Sequence, residues 1–232
     1  MSSTGVRIAS QAASLGTKNR SPLAQLLHAL NQPLTGLQCS LELAVAGPRR
    51  IDQHVQTLRE GLDLTSRMRA LVEAIREVND FRESTPGSET TLLDALLRET
   101  AADLHPVAQQ RNVRLVLHAH APLPVQGTTA QLASLAFRLL ESILSLTREG
   151  GVFELLAEND RTHARLEISW SSGAPDAHSP LSPPELGLLV AQAGWEQQGA
   201  EWIQSQADLM QRCSIRVPLA GVGQDHTAGA GI

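Results

Sequence analysis

The chain has 232 residues and a formal net charge of −5, and 42% of its residues are hydrophobic. This length and apolar content suffice for one large or two small domains with a buried core. The 19 basic and 24 acidic side chains leave no basic excess, which argues against nucleic-acid binding through phosphate contacts. With three Phe, three Trp and no Tyr, a base-stacking surface is also excluded.

The cysteines and the apolar runs indicate the compartment. Cys39 and Cys213 lie far apart and neither belongs to a metal-binding spacing. Two cysteines cannot stabilise a chain of this length, which indicates a reducing compartment. Residues 1–20 lack the apolar segment of a signal peptide, and no run approaches the roughly 18 apolar residues of a membrane span. We therefore expect a cytoplasmic protein.

Composition divides the chain into five parts. Residues 1–20 are rich in Ser, Ala, Thr and Gly without apolar periodicity, and 220–232 are similar, so both are predicted to be disordered tails. Residues 82–90 are polar and contain a Pro-Gly pair, which predicts a linker. The linker separates a helical segment, 21–81, from a mixed segment, 91–219.

Two long helices are predicted within 21–81. Ser21 is a typical N-cap, Pro22 suits the first helical position, and Gly47-Pro48 ends the first helix. One hairpin cannot bury both of its apolar stripes, so two hairpins are expected to pair into a homodimeric four-helix bundle. The stripes consist of Leu23, Leu26, Leu27, Leu30, Leu34, Leu37, Leu41, Ala44 and Val45 in the first helix, and Ile51, Val55, Leu58, Leu62, Met68, Leu71, Val72, Ile75 and Val78 in the second.

The segment 91–219 combines helical and strand periodicity. This mixture predicts an α+β fold in which helices pack on one face of a single sheet. A turn is expected at Asn159-Asp160. The predicted helices cover 92–108, 128–147 and 184–194, and the predicted strands cover 112–119, 152–157, 164–170, 201–206 and 213–219.

His28 is the candidate reactive residue. On a helical wheel it lies about 160° from Leu30, opposite the apolar stripe, and Gln25, Gln32 and Thr35 share its face. An exposed imidazole is a competent nucleophile near neutral pH. An inert histidine on a solvated helix face is the alternative interpretation.

Two residues one turn beyond His28 favour the functional interpretation. Gln32 is four residues on, so its side chain is a neighbour of the imidazole. Pro33 costs a helix about 3 kcal/mol and removes the hydrogen bond to the carbonyl of Ala29, which indicates a bend beside the histidine. The remaining histidines form no set of metal ligands: His54, His105, His118, His120, His163, His178 and His226.

Residues 28–34 read His-Ala-Leu-Asn-Gln-Pro-Leu. This segment resembles the H-box of two-component histidine kinases, which commonly reads His-Glu-Leu-Asn-Gln-Pro-Leu, and the resemblance extends over 21–80. It implies that His28 is the phosphorylated residue and that two hairpins form the dimer bundle. Gln32 matches the position that family members use to orient water for phosphatase action. Ala29 stands where the family usually has an acidic residue that assists proton transfer, which argues against autophosphorylation.

Residues 91–219 resemble, more weakly, the ATP-binding domain of the same kinases. The family motif Asn-Leu-Leu-x-Asn-Ala, whose second Asn holds magnesium, corresponds to residues 138–143. Here Arg138 and Ser142 replace the two Asn. Magnesium requires hard oxygen ligands, for which a serine hydroxyl is a weak substitute.

The other two nucleotide motifs also depart from the family. In Asp-Asn-Gly-x-Gly, the Asp that receives the adenine amino group is Ser171, the first Gly is retained as Gly173, and the second is Pro175. The motif Gly-x-Gly-Leu keeps only Gly187, and one glycine does not form a phosphate cradle. We therefore expect a folded sandwich without a nucleotide cofactor.

Three functions are consistent with these residues. The first is a histidine phosphotransfer or pseudokinase module that exchanges phosphoryl groups with response-regulator receiver domains, which dock on Gln25, His28, Gln32 and Thr35. The second is an active autokinase with divergent motifs, which requires ATP and magnesium. The third is a dimeric scaffold that binds a receiver without chemistry. In each case the partners are receiver domains and a second copy, with neither nucleic acid nor membrane.

Overall fold

The computed structural model describes residues 21–47, 50–83, 87–119, 121–173, 181–207 and 209–221. The predicted tail over 1–20, the second tail beyond Gly221 and the middle of the linker lie outside these residues. So do several residues named above: Pro48, Pro86, His120, Pro175, His178 and His226.

The described residues form a helical hairpin followed by an α/β sandwich. In the sandwich, helices lie between groups of strands along the chain, as the sequence pattern predicts. In chain order the elements are α1 (Pro22–Val45), α2 (Ile51–Glu83), β1 (Thr90–Leu92), α3 (Leu93–Gln110), β2 (Arg114–Ala119), β3 (Pro124–Gln126), α4 (Thr129–Leu146), β4 (Val152–Asp160), β5 (His163–Ser171), α5 (Pro183–Gln197), β6 (Glu201–Ala207) and β7 (Met210–Pro218).

The hairpin forms where the local signals predict it. The hydroxyl of Ser21 accepts a hydrogen bond from the N–H of Ala24 at 3.3 Å and so caps α1. The two helices approach closely at their middle, because a Cβ added to Gly61 would lie only 3.4 Å from Leu37 Cδ1. Gly36 faces Leu64 of α2 at a similar separation, 3.6 Å. In each helix, a glycine thus makes room for a leucine side chain of the other helix.

A five-stranded sheet has the order β2-β4-β5-β7-β6, with β2 and β4 parallel and the other pairs antiparallel. The predicted turn at Asn159-Asp160 is wrong: Asp160 still pairs with His163, and Arg161 with φ 51° carries the turn. Strands β1 and β3 pair with each other as a separate small sheet, which the sequence did not predict. Strands of three residues are too short to show a periodic pattern.

Helices α3, α4 and α5 cover one face of the sheet and enclose the main core. Trp170, Trp195 and Phe153 are its largest fully buried side chains. One sheet with helices on one face is the α+β arrangement predicted from the sequence.

Asp94 fixes the start of α3 against the following loop. Its carboxylate accepts hydrogen bonds from the N–H of Leu123 at 3.0 Å and from the guanidinium of Arg98 at 2.8 Å. Burial raises the pKa of the Asp94 carboxyl, but these bonds and the charge of Arg98 outweigh it, so the pKa lies below its usual value. The carboxylate is therefore charged, and each of its two oxygens accepts a structural hydrogen bond.

A second apolar cluster joins the hairpin to the sandwich. It lies between one face of α5 and the end of the hairpin that contains the start of α1 and the end of α2. Its buried members are Leu26, Leu71, Ala74, Val78, Leu186, Val190 and Ala193.

Candidate functional site

His28 lies on the exposed face of α1. Gln32 and Thr35 are exposed on the same face and Gln25 is half-buried, whereas Leu26 is fully buried on the other side. This arrangement agrees with the helical wheel. The imidazole of His28 is thus open to a large partner, with amide and hydroxyl groups beside it.

Pro33 does not interrupt α1, which runs unbroken through it. Pro33 is buried and lines a cavity together with Leu64 and Arg67 of α2, and the bend expected beside His28 stays a prediction. The carbonyl of Ala29 still lacks its usual N–H partner, since proline has none. The apolar contacts of the buried Pro33 thus offset the missing hydrogen bond.

Gln32 and Pro33 line a cavity of about 300 Å³. Its walls come from α1, from α2 through Leu64 and Arg67, and from the sandwich through Leu181 and other residues near the start of α5. Gln32 therefore borders both the His28 face and a cavity to which the sandwich contributes. Arg67 could not be recognised from the sequence as a residue of this cavity, because nothing local to α2 shows that it shares the cavity with Gln32.

Arg138 stands at the first Asn position of the nucleotide motif. Its guanidinium lies 2.7 Å from the carboxylate of Glu77 on α2. The side chain is thus engaged by the hairpin. Beside it lies a cavity of about 420 Å³ between α2, α4 and α5, lined by this ion pair and by the carboxylates of Glu73 and Glu141. Three carboxylates and one guanidinium disfavour a polyphosphate.

Ser142, at the magnesium position, is fully buried where α4 meets α5. Its hydroxyl has no hydrogen-bond partner within the described part of the chain. A Cβ added to Gly187 would overlap this hydroxyl, so the two helices are in direct contact here. Gly187 permits close helix packing, and the contact leaves no room for a hydrated cation.

The N-terminus of α5 offers few groups to an anion. Pro183 and Pro184 open the helix and have no N–H to donate. The carboxylate of Glu185 accepts from the N–H of Ser182 at 2.6 Å and from its hydroxyl at 2.7 Å. A helix start binds phosphate through free N–H groups, and here they are absent or occupied by a side chain of the same charge as phosphate.

Ser171, at the position of the adenine-binding Asp, is a structural residue of the sheet. Its buried hydroxyl accepts from the N–H of Val152 at 3.2 Å and donates to the sulfur of Met210 at 3.6 Å. Gly173 is exposed, with open space where a Cβ would lie. The side chains at the nucleotide positions that the structure describes therefore do not fit adenine, magnesium or phosphate.

Gly187→Ala is expected to destabilise the fold by about 1–3 kcal/mol, because the new methyl overlaps the hydroxyl of Ser142. Adding Ser142→Ala should restore most of the loss, since the Gly187 methyl would lie 3.6 Å from the Ser142 Cβ, an ordinary contact. Urea unfolding of both single variants and the double variant measures the coupling. Additive losses would contradict the packing role of Gly187.

Metal and membrane features are absent from the described parts of the chain. Within them, no group of three His, Cys, Asp or Glu side chains is placed to hold a metal ion. Among the described helices, none combines the length and apolar character needed to cross a membrane.

Comparison with known proteins adds sequence and fold relatives, although no family model matches the chain. Sensor protein GacS of Pseudomonas syringae pv. syringae is 27% identical in an alignment 161 residues long, which covers 63% of this chain. These residues amount to 17% of the length of GacS, so the chain corresponds to only a small part of that protein.

Two solved histidine kinases share the fold over most of the chain. AdeS of Acinetobacter baumannii has a TM-score of 0.54 at 16% identity and covers 83% of this chain and 98% of its own. A histidine kinase of Burkholderia phymatum STM815 has a TM-score of 0.50 at 16% identity, over 85% of this chain and 99% of its own. The chain therefore has the fold of the two-component histidine kinases in its hairpin and its sandwich, and it resembles one of their sensor proteins in sequence.

Proposed function

We propose that the chain is a histidine phosphotransfer module that exchanges phosphoryl groups with response-regulator receiver domains through His28. The observation that carries this proposal is the position of His28. Its side chain is exposed on α1, on the face turned away from the buried Leu26 and Pro33. This exposure supports the proposal, because the imidazole is open to solvent on the side from which a receiver would dock.

The transfer needs mainly positioning, an available imidazole nitrogen and a magnesium ion supplied by the receiver. That nitrogen attacks the phosphorus of the receiver's aspartyl phosphate. The N–P bond forms while the P–O bond to the carboxylate breaks, the carboxylate leaves with the electron pair, and the imidazole N–H proton passes to water. The reverse sequence delivers the phosphoryl group to the aspartate of a second receiver.

The residues around His28 have separate roles in this proposal. Gln32, the next residue along the same face, offers an amide to a phosphoryl oxygen or to a water. Thr35 and Gln25 extend the polar docking surface in either direction along α1. The hydroxyl of Thr35 already donates to the carbonyl of Asn31 at 2.9 Å, so its oxygen remains available as an acceptor. Ala29 supplies no base, and a transfer between receivers does not need one.

Mixing the chain with a phosphorylated receiver domain tests the proposal. We expect an acid-labile, base-stable phosphoryl group to appear on the chain as the receiver loses its own. If the receiver binds and no phosphohistidine forms, the chain acts as a scaffold instead, and the phosphotransfer proposal is wrong.

ATP is expected not to bind at useful affinity. The start of α5 lacks free N–H groups, Ser142 is closed off by Gly187, and the hydroxyl of Ser171 is used within the sheet. Calorimetric titration with ATP and magnesium should give no saturable heat up to millimolar nucleotide. A dissociation constant in the low micromolar range would favour the autokinase alternative.

A further inference from the structure

We propose that Arg138 is an inter-domain clamp, which holds the sandwich on the hairpin in one fixed arrangement. The inference concerns the chain on its own and does not depend on whether His28 accepts a phosphoryl group. Its first support is the 2.7 Å ion pair between Arg138 on α4 and Glu77 on α2. This pair joins the two parts of the chain in the lining of the 420 Å³ cavity.

The ion pair lies beside the apolar cluster between α2 and α5. Leu71 and Val78 of α2 are buried to the same degree as core residues, with 5% and 2% exposure. They pack with Leu186 and Val190 of α5, which retain 8% and 1% exposure. Separating the sandwich from the hairpin would expose the parts of these apolar side chains that meet across the contact, which is unfavourable.

The charges around Arg138 explain why a cation is required there. Glu77, Glu73 and Glu141 all line the cavity with it, from both sides of the contact. Glu73 is also paired with Arg76 at 2.8 Å, but both of these residues belong to α2. The ion pair of Arg138 therefore joins the sandwich to the hairpin, whereas the ion pair of Arg76 lies within α2.

Side-chain length also fits the clamp. An Asn, the residue of the resembled family at this position, is too short to reach from α4 to a carboxylate on α2. The replacement by Arg thus gains a contact to the hairpin where a nucleotide contact is lost. As a result Leu181 and Leu186 of the sandwich stay in place as a wall of the cavity beside Gln32.

Hydrogen–deuterium exchange of the full chain tests the clamp. Arg138→Glu places a fourth carboxylate in the cavity. The amides of α2 around Leu71–Val78 and those of α5 should then exchange about two- to five-fold faster. This is the range expected for the loss of a partly exposed ion pair. The exchanged pair, Arg138→Glu with Glu77→Arg, should return these amides to within about two-fold of the unaltered chain. The amides of β4 and β5 should not change in either variant.

Arg76→Glu is the matched control, because it makes the same charge change on α2 without touching a cross-domain pair. It should leave α5 exchange unchanged. Unaltered α5 exchange in Arg138→Glu, or equal acceleration by Arg76→Glu, overturns the clamp, and so does a failure of the exchanged pair to restore protection. If Arg138→Glu does not fold, Arg138→Gln replaces it, with a smaller increase supporting the proposal and no increase refuting it.

Discussion

His28→Gln is expected to abolish phosphoryl uptake from a phosphorylated receiver domain, with a loss of at least about 100-fold in initial rate, because His28 is the only imidazole on α1 (Pro22–Val45). Gln keeps a polar side chain of similar size on an exposed helix position. Folding stability should therefore change by no more than about 0.5 kcal/mol. Gel-based transfer with acid and base stability of the product measures the effect, and thermal unfolding checks the fold.

His54→Gln is the matched control, since His54 is also exposed and lies on α2 of the same hairpin. This variant should accept phosphate at the unaltered rate. Phosphoramidate, a small donor that phosphorylates histidine without a docking surface, separates the chemistry of His28 from recognition of the receiver. The assignment of His28 fails if the His28→Gln variant still takes up phosphate from the receiver.

The hairpin and the orientation of His28 could be predicted because their signals are local. Ser21, Pro22 and Gly47 delimit α1, and the leucine spacing fixes which face is apolar. The helices of the sandwich were predicted for the same reason, with ends that differ by a few residues from the structure. A wheel derived from one helix therefore placed His28 correctly on an exposed face.

Contacts between distant elements could not be predicted from the sequence. The pairing of Arg138 with Glu77 depends on how α4 lies against α2, and no local pattern contains that information. Gly187 shows a physical ambiguity, because the same missing side chain permits either a phosphate or a helix to approach. The close approach of the Ser142 hydroxyl to Gly187 shows that this glycine allows a helix, rather than a phosphate, to approach.

Pro33 and Leu37 show the limit of reasoning from one helix alone. The pattern of α1 alone did not predict that Pro33, through which the helix continues, is buried. Leu37 belongs to the stripe expected to meet a second copy, yet it lies half-buried against Gly61 within its own hairpin. The apolar stripe is thus divided between contacts inside the hairpin and an exposed remainder.

This exposed remainder predicts a homodimer. On α1, Leu27, Leu34 and Leu41 are spaced by seven residues and remain 46–51% exposed. On α2, Leu58 and Leu62 are 65% and 67% exposed. A contiguous apolar face of this kind on a helical hairpin is buried most simply by a second copy, which yields a four-helix bundle. The seven-residue spacing is the one that packs helices side by side.

Leu34→Glu and Leu62→Glu are each expected to dissociate the dimer. Full burial of a leucine is worth about 1.5–3 kcal/mol, and only the exposed 46% of Leu34 or 67% of Leu62 is left for a second copy to bury. A symmetric dimer loses about 0.7–2 kcal/mol twice, so the dissociation constant should rise by roughly 10- to 10³-fold. Sedimentation velocity across micromolar concentrations measures this rise. Ile203→Glu is the control, because Ile203 is 61% exposed on β6 of the sandwich, away from the hairpin. A chain that sediments as a monomer before any substitution, or an Ile203 variant that dissociates equally, contradicts a dimer formed through the hairpin.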